Sequence, residues 1–305
     1  MKMRTKILIA LGTMVAMLAA QGCSSDVEDG SSAVAIEMTT TIGNDATSRA
    51  AQSNLQSTQI ASGNSVGVWI VKDTDNEETV YENKAYTADG NGNLSTSIIA
   101  RFPIDETPVR IYAYAPHMES GMGLTSGTFT VPVNQTSDAA YIAGDLLIGA
   151  PANNHIDVGV KPKLVFCHKM AKIVVDFSQV TDDAIKGGQI TTCSLYNTVE
   201  VNVKTGSTIA IGTKTPLTTE IDSDKKAVLL LPEQTVDLGE RLFMMTYNGT
   251  PIYYVTSAAI TLEAGKVYSY NMKIDSVSKQ FLLASSTIGV WGIGNGGGGM
   301  LEVEE

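Results

Sequence analysis

The chain has 305 residues, 17% of them charged and 43% hydrophobic, a balance that excludes both a solvated disordered polymer and a membrane bundle. A net charge of −11 argues against nucleic acid or an anionic lipid surface as a partner. Three histidines and three cysteines leave little material for a metal site or a nucleophile–base pair, and at about 150 residues per domain the length suits two domains.

In chain order, Lys2, Arg4 and Lys6 precede an apolar run over 7–20. That run is too short for a membrane span of about 20 residues but suits the core of a signal peptide. It ends in Ala20-Gln-Gly-Cys23, small residues leading to a cysteine. The arrangement resembles a bacterial lipobox, in which residues 1–22 are removed and Cys23 is acylated; a secretory signal cleaved near Ala19-Ala20 is the alternative. Residues 23–32, with Asp26, Glu28 and Asp29, have little to bury and read as an acidic tether. Val34, Ile36, Met38 and Thr40 then alternate with Ala35, Glu37 and Thr39, the period of a half-buried strand. A polar stretch over 43–51 follows, and Arg49 is its basic residue.

The body reads as strand after strand: 66–71, 109–114, 128–133, 172–177, 199–203, 227–231, 242–247, 252–256, 267–274 and 287–291 are rich in Val, Ile, Thr and Tyr. Turn residues separate them, as in Asp89-Gly-Asn-Gly-Asn93, and Asn248-Gly249 is a hairpin signal. A short helix is expected within 137–142 or 181–185. Many strands without intervening helices predict an all-β chain of sandwiches. The polar, proline-bearing stretch 150–157 divides it into sandwiches over 33–155 and 156–291, followed by a glycine-rich tail over 292–305.

No segment carries recognisable catalytic chemistry, and no catalytic residue, metal or cofactor is predicted. Asp73-Thr-Asp-Asn-Glu77 opens like a calcium loop but has Glu78 and Lys84 where Gly and Glu are required. Asp89, Asn91 and Asn93 fail in the same way, so both stretches read as solvated hairpin tips. There is no H-E-x-x-H or G-x-S-x-G, and residues 296–299 lack the Lys-Ser/Thr of a phosphate loop. His117, His155 and His168 are dispersed, and adjacent Asp182 and Asp183 look like a helix start. Cys167 and Cys193 have no metal or redox spacing; they read as structural, either buried thiols or a pair in an oxidising compartment.

Four stretches in order carry a resemblance to a family. They are Asp145-Leu-Leu-Ile-Gly-Ala150, Leu164-Val-Phe-Cys-His-Lys-Met-Ala-Lys-Ile-Val-Val175, Leu262-Glu-Ala-Gly-Lys-Val-Tyr-Ser-Tyr-Asn-Met272 and Ile288-Gly-Val-Trp291. Together with the lipobox they resemble the fimbrillins, lipoprotein-derived subunits of Bacteroidales type V pili, whose acidic stretch after the lipid cysteine resembles a surface-export signal. The resemblance implies two tandem transthyretin-like Greek-key β-sandwiches, a non-enzymatic role in fimbriae and adhesion, and a place at the cell outer membrane, held there by lipid on Cys23. It also implies an arginine-specific protease that cuts between Arg49 and Ala50. The strand carrying Val34, Ile36, Met38 and Thr40 would then leave, and other fimbrial subunits would be joined by strand exchange. In the tail, Met300, Leu301 and Val303 are the candidate donor segment, with a plain flexible end as the alternative; glycines make the rest a poor strand, which counts against a place in the shaft and leaves a tip or accessory subunit open. The competing expectation is a surface glycan- or ligand-binding sandwich lipoprotein that keeps its first strand and exposes an aromatic platform.

Overall fold

Residues 66–71 read Val-Gly-Val-Trp-Ile-Val without alternation, and in the computed structural model both faces of that strand are covered. The structure describes residues 33–43, 58–275 and 281–291, and the backbone of 301–302. The strands of the first part are β1 (Thr39–Ile42), β2 (Ser65–Lys72), β3 (Thr79–Ala88), β4 (Leu94–Ser95), β5 (Val109–Ala115), β6 (Gly127–Thr130), β7 (Leu147–Pro151) and β8 (Lys163–His168). Then follow β9 (Met170–Asp176), β10 (Gln189–Thr192), β11 (Thr198–Asn202), β12 (Ser207–Ile211), β13 (Thr218–Glu220), β14 (Lys226–Pro232) and β15 (Gln234–Val236). The last are β16 (Arg241–Tyr247), β17 (Thr250–Val255), β18 (Ile260–Leu262), β19 (Lys266–Ile274), β20 (Phe281–Val290) and β21 (Leu301–Glu302).

The chain is nearly all β. Both places expected to turn helical do so briefly. Helix α1 (Asp138–Gly144) starts where the Ser137 hydroxyl accepts from Ala140 N–H, and Asp182 caps a 3₁₀ turn over Asp183–Ile185 in the same way. The hairpin expected at Asn248-Gly249 joins β16 to β17, with both turn residues at positive φ.

Seven strands form the first sheet, in the order β1-β8-β7-β5-β2-β3-β4. Its core holds Ile36, Met38 and Ile42 against Val68, Ile111, Leu164 and Phe166. The sheet extends to His168, past the division expected at residue 155, because the apolar run 164–166 completes its ladder with β7. Lys169 alone then separates β8 from β9, a central strand of the sheet β14-β9-β19-β20-β21. The sheets β13-β10-β16-β17 and β15-β18 complete the second half, whose core packs Phe177, Phe243, Tyr254 and Phe281. A fifth, small sheet, β12-β11-β6, takes β6 from the first half and the β11–β12 hairpin from the second.

Between these layers lies a third core. Trp69, Tyr114 and Ile148 from the first sheet meet Phe129 and Val199 from the small sheet and Val228 and Leu230 from β14. A polar group is buried within it. The Asp145 carboxyl, wholly inaccessible, lies 2.8 Å from His168 Nδ1, and the imidazole stacks on Trp291 at 3.7 Å between centroids and 7° between planes. Lys172 Nζ stands 5.6 Å from the Tyr141 ring centre and 5.4 Å from that of Trp291. Trp291 N–H donates to Gly265 C=O at 2.7 Å. All four stretches that carry the resemblance thus meet at one joint. That explains residues such as Asp145 and Trp291, which no strand propensity calls for.

Candidate strand-exchange site

Alternation predicts a strand from residue 34, but the ladder of β1 covers only Thr39–Ile42. Residues 33–38 join no ladder: beside the isolated bridge of Ala35 to Arg101, Phe102 N–H donates to Val34 C=O and the Arg101 guanidinium to Ala33 C=O. Val34, expected to face the core, is 44% exposed, because it precedes the point where the chain enters the sheet. Ile36, Met38 and Thr40 do point inward, joined by Ile42.

The two sides of β1 are bonded unequally. On one side it runs parallel to β8 through four Cα pairs, from Thr39–Lys163 to Ile42–Phe166, and Thr39 and Gly43 N–H donate to Pro162 and Phe166 C=O. On the other side its contacts come from loops: Ile36, Thr40 and Ile42 N–H donate to Ala100, Gly92 and Thr58 C=O. Thr39 also bridges to Asn93, just before β4. Since β1 and β4 are opposite ends of the strand order, the first sheet rolls until its two margins meet, and β1 is the seam. Its polar backbone is satisfied, but a regular ladder holds only one side.

Gly92 makes the looser side possible. It sits at φ +91° in the Asp89–Asn93 turn, whose carboxylate accepts from Asn91 and Asn93 N–H. A Cβ at Gly92 would lie 2.9 Å from Thr40 O and 3.0 Å from Gln59 Oε1. Gly92→Ala is therefore expected to cost about 1–2 kcal/mol, through strained φ and a backbone collision. Hydrogen exchange should rise in residues 33–43 first, and unchanged protection there would refute the contact.

The other site expectations fall out as follows. Cys23, Arg49, Ala50, Met300 and Val303 lie outside the described residues. The backbone of Leu301 pairs with Ile288 of β20 in the same chain, so the tail segment lies along that chain's own sheet margin. Cys167 is exposed and unpaired, not buried as its apolar flanks imply, because the pleat of β8 turns Leu164, Phe166 and His168 inward and Cys167 outward. Cys193 is likewise a free thiol, its pKa raised by burial. Trp69 and Trp291 are both buried. The Asp73–Glu77 turn differs from a solvated tip. Glu77 accepts from Arg110 at 2.7 Å and pairs with Lys204 of the β11–β12 turn, while Asp73 pairs with Arg110 and His155. Lys204 and Arg110 hold the Glu77 carboxyl below its usual range. Sequence spacing gave no sign of these partners, nor of the Asp145–His168–Lys172–Trp291 joint.

A fimbrillin-like family profile matches residues 48–291. No curated protein sequence matches the chain. Among solved structures, a cell-adhesion candidate of Bacteroides uniformis superposes with a TM-score of 0.63 at 20% identity, covering 85% of this chain and 99% of that one. One from Bacteroides ovatus gives 0.64 at 19% identity, covering 85% and 98%. The tip fimbrial protein Mfa3 of Porphyromonas gingivalis, with a C-terminal truncation, gives 0.52 at 12%, covering 84% and 99%. At such identities these likenesses show the fold. The profile spans most of the chain, and the chain belongs to the fimbrillin-like family.

Proposed function

We propose that the chain is a surface fimbrial subunit that acts in adhesion and joins its neighbours by strand exchange. In this reading Cys23 carries the lipid that holds the precursor at the outer membrane, and an arginine-specific protease cuts after Arg49. Residues up to Arg49 then remain with the membrane, and another subunit's strand enters the place of β1. The observation that carries the reading is the seam: a buried, inward-alternating segment held by a regular ladder on one side and by loops on the other. Loss of such a segment exposes an apolar floor and the unpaired margin of β8, which templates an incoming strand by β-augmentation. Family membership and the folds of the adhesion and fimbrial structures above support the same role.

Limited digestion of the full chain with a trypsin-like protease tests it. A clean nick after Arg49 is expected to release residues 33–43 and yield oligomers on size-exclusion chromatography, while Arg49→Ala stays monomeric. A nicked chain that remains monomeric would sink the exchange mechanism.

A further inference from the structure

The inward positions of β1 are not equally well filled. Met38 and Ile42 belong to the apolar core of the first sheet, with Leu164 and Phe166 of β8. Thr40 lies between them, paired across the ladder with Leu164 and only 3% exposed. Its backbone N–H is used by Gly92 C=O, yet its Oγ1 is buried with no hydrogen-bond partner among the described residues. The Oε1 of Gln59, which with Thr40 O lines the space beside Gly92, is buried and unpartnered among the described residues too. The next residue shows the contrast, since Thr41 Oγ1 reaches Thr58 C=O at 3.5 Å.

A buried hydroxyl without a partner loses its hydration and gains nothing in return, whereas an aliphatic group of the same shape at that point has nothing to lose. β1 thus matches its groove at Ile36, Met38 and Ile42 and mismatches it at the centre. We propose that Thr40 is the position at which the groove selects its occupant: a strand with an aliphatic side chain there, flanked two residues away on each side by further aliphatic residues, is preferred to β1. The partner is therefore a β-forming segment whose alternate side chains are apolar without interruption. The resident strand acts as a placeholder with a built-in defect. This inference rests on the strand-exchange reading and adds to it the chemistry of the incoming strand and a direction for the exchange.

The test uses the full chain nicked after Arg49 and fluorescent synthetic peptides of residues 33–43: the native sequence, Thr40→Val and, as a control, Thr39→Val. The Thr40→Val peptide is expected to displace the resident segment at about tenfold lower concentration than the native peptide, a difference of about 1.4 kcal/mol. Thr39→Val, half-buried on the other face of the strand, should stay within about twofold and so measures the gain from β-propensity alone. Equal displacement by all three peptides, or equal gain from both valines, overturns the selection at Thr40 and leaves exchange standing. Failure of every peptide to enter overturns the exchange reading itself, and this inference with it. In the uncut chain Thr40→Val should raise Tm by about 2–4 °C; a fall would show that the hydroxyl is paired and refute the proposal.

Discussion

Replacing Asp145 by alanine is expected to lower the unfolding free energy by about 3 kcal/mol, the upper range for leaving a buried hydrogen-bonding partner unsatisfied. The carboxyl is wholly buried and takes the 2.8 Å contact from His168 Nδ1. Its loss leaves that imidazole nitrogen without its acceptor, in a ring whose Nε2 already lacks a partner among the described residues. Asp145 also supplies the attraction that offsets part of the burial cost of the Lys172 ammonium. Asp145→Asn keeps an acceptor oxygen and should lose distinctly less. Urea unfolding measures both; a loss below about 1 kcal/mol for the alanine variant would mean that the pair is not a structural determinant.

The second large effect concerns Lys172, whose ammonium burial pushes down from 10.5 to about 8 against the pull of Asp145. The unfolded chain therefore holds a proton on this residue that the folded chain has released, and between about pH 8 and 10.5 stability rises with pH from this group. Over the window up to pH 10 the gain is about 2 kcal/mol, with a limiting slope near 1.4 kcal/mol per pH unit. Above pH 10 buried tyrosines oppose it. Burial raises Tyr86 to about 12 and holds Tyr141 and Tyr270 well above the ordinary tyrosine value, so their stabilisation is complete below the ordinary tyrosine range and is lost as pH climbs beyond it. The expected profile climbs from pH 8, crests near pH 10 and then falls. Lys172→Met should remove the climb: more stable than the native chain at pH 7 by about 2 kcal/mol, once the lost contacts with the Tyr141 and Trp291 rings are set against relief of the buried charge. The two curves should converge near pH 10. Parallel curves would show that Lys172 titrates normally.

Alternation makes strands legible where one face is apolar and the other wet. It marks 199–203, 242–247 and 267–274 to within a few residues of β11, β16 and β19. The buried runs 66–71 and 227–231 are legible by other means, their length and apolar content standing in for alternation. β3, β10 and β13 go unread because Thr79–Ala88 is largely polar and the other two have only four and three residues, so their partners decide their state. Only the second part of β20 was expected, since Ala284-Ser-Ser286 breaks the pattern while the ladder with β19 holds the whole strand. The seam is half legible: the sequence shows which side chains of β1 turn inward, but not that β8 lies parallel to it or that loops hold its other side. The polar joint is hidden for a different reason. Asp145, His168, Lys172 and Trp291 come from separate elements, and only the fold brings them together.

The direction of β1 relative to β8 has a mechanical consequence. β1 is entered from its start at Thr39, while β8 is left from its end, through Lys169 into the second half. Tension between the N-terminal segment and the second half therefore pulls the parallel pair from opposite ends. The rungs are loaded in shear and must yield together, whereas an antiparallel occupant pulled from its own start would be unzipped one rung at a time.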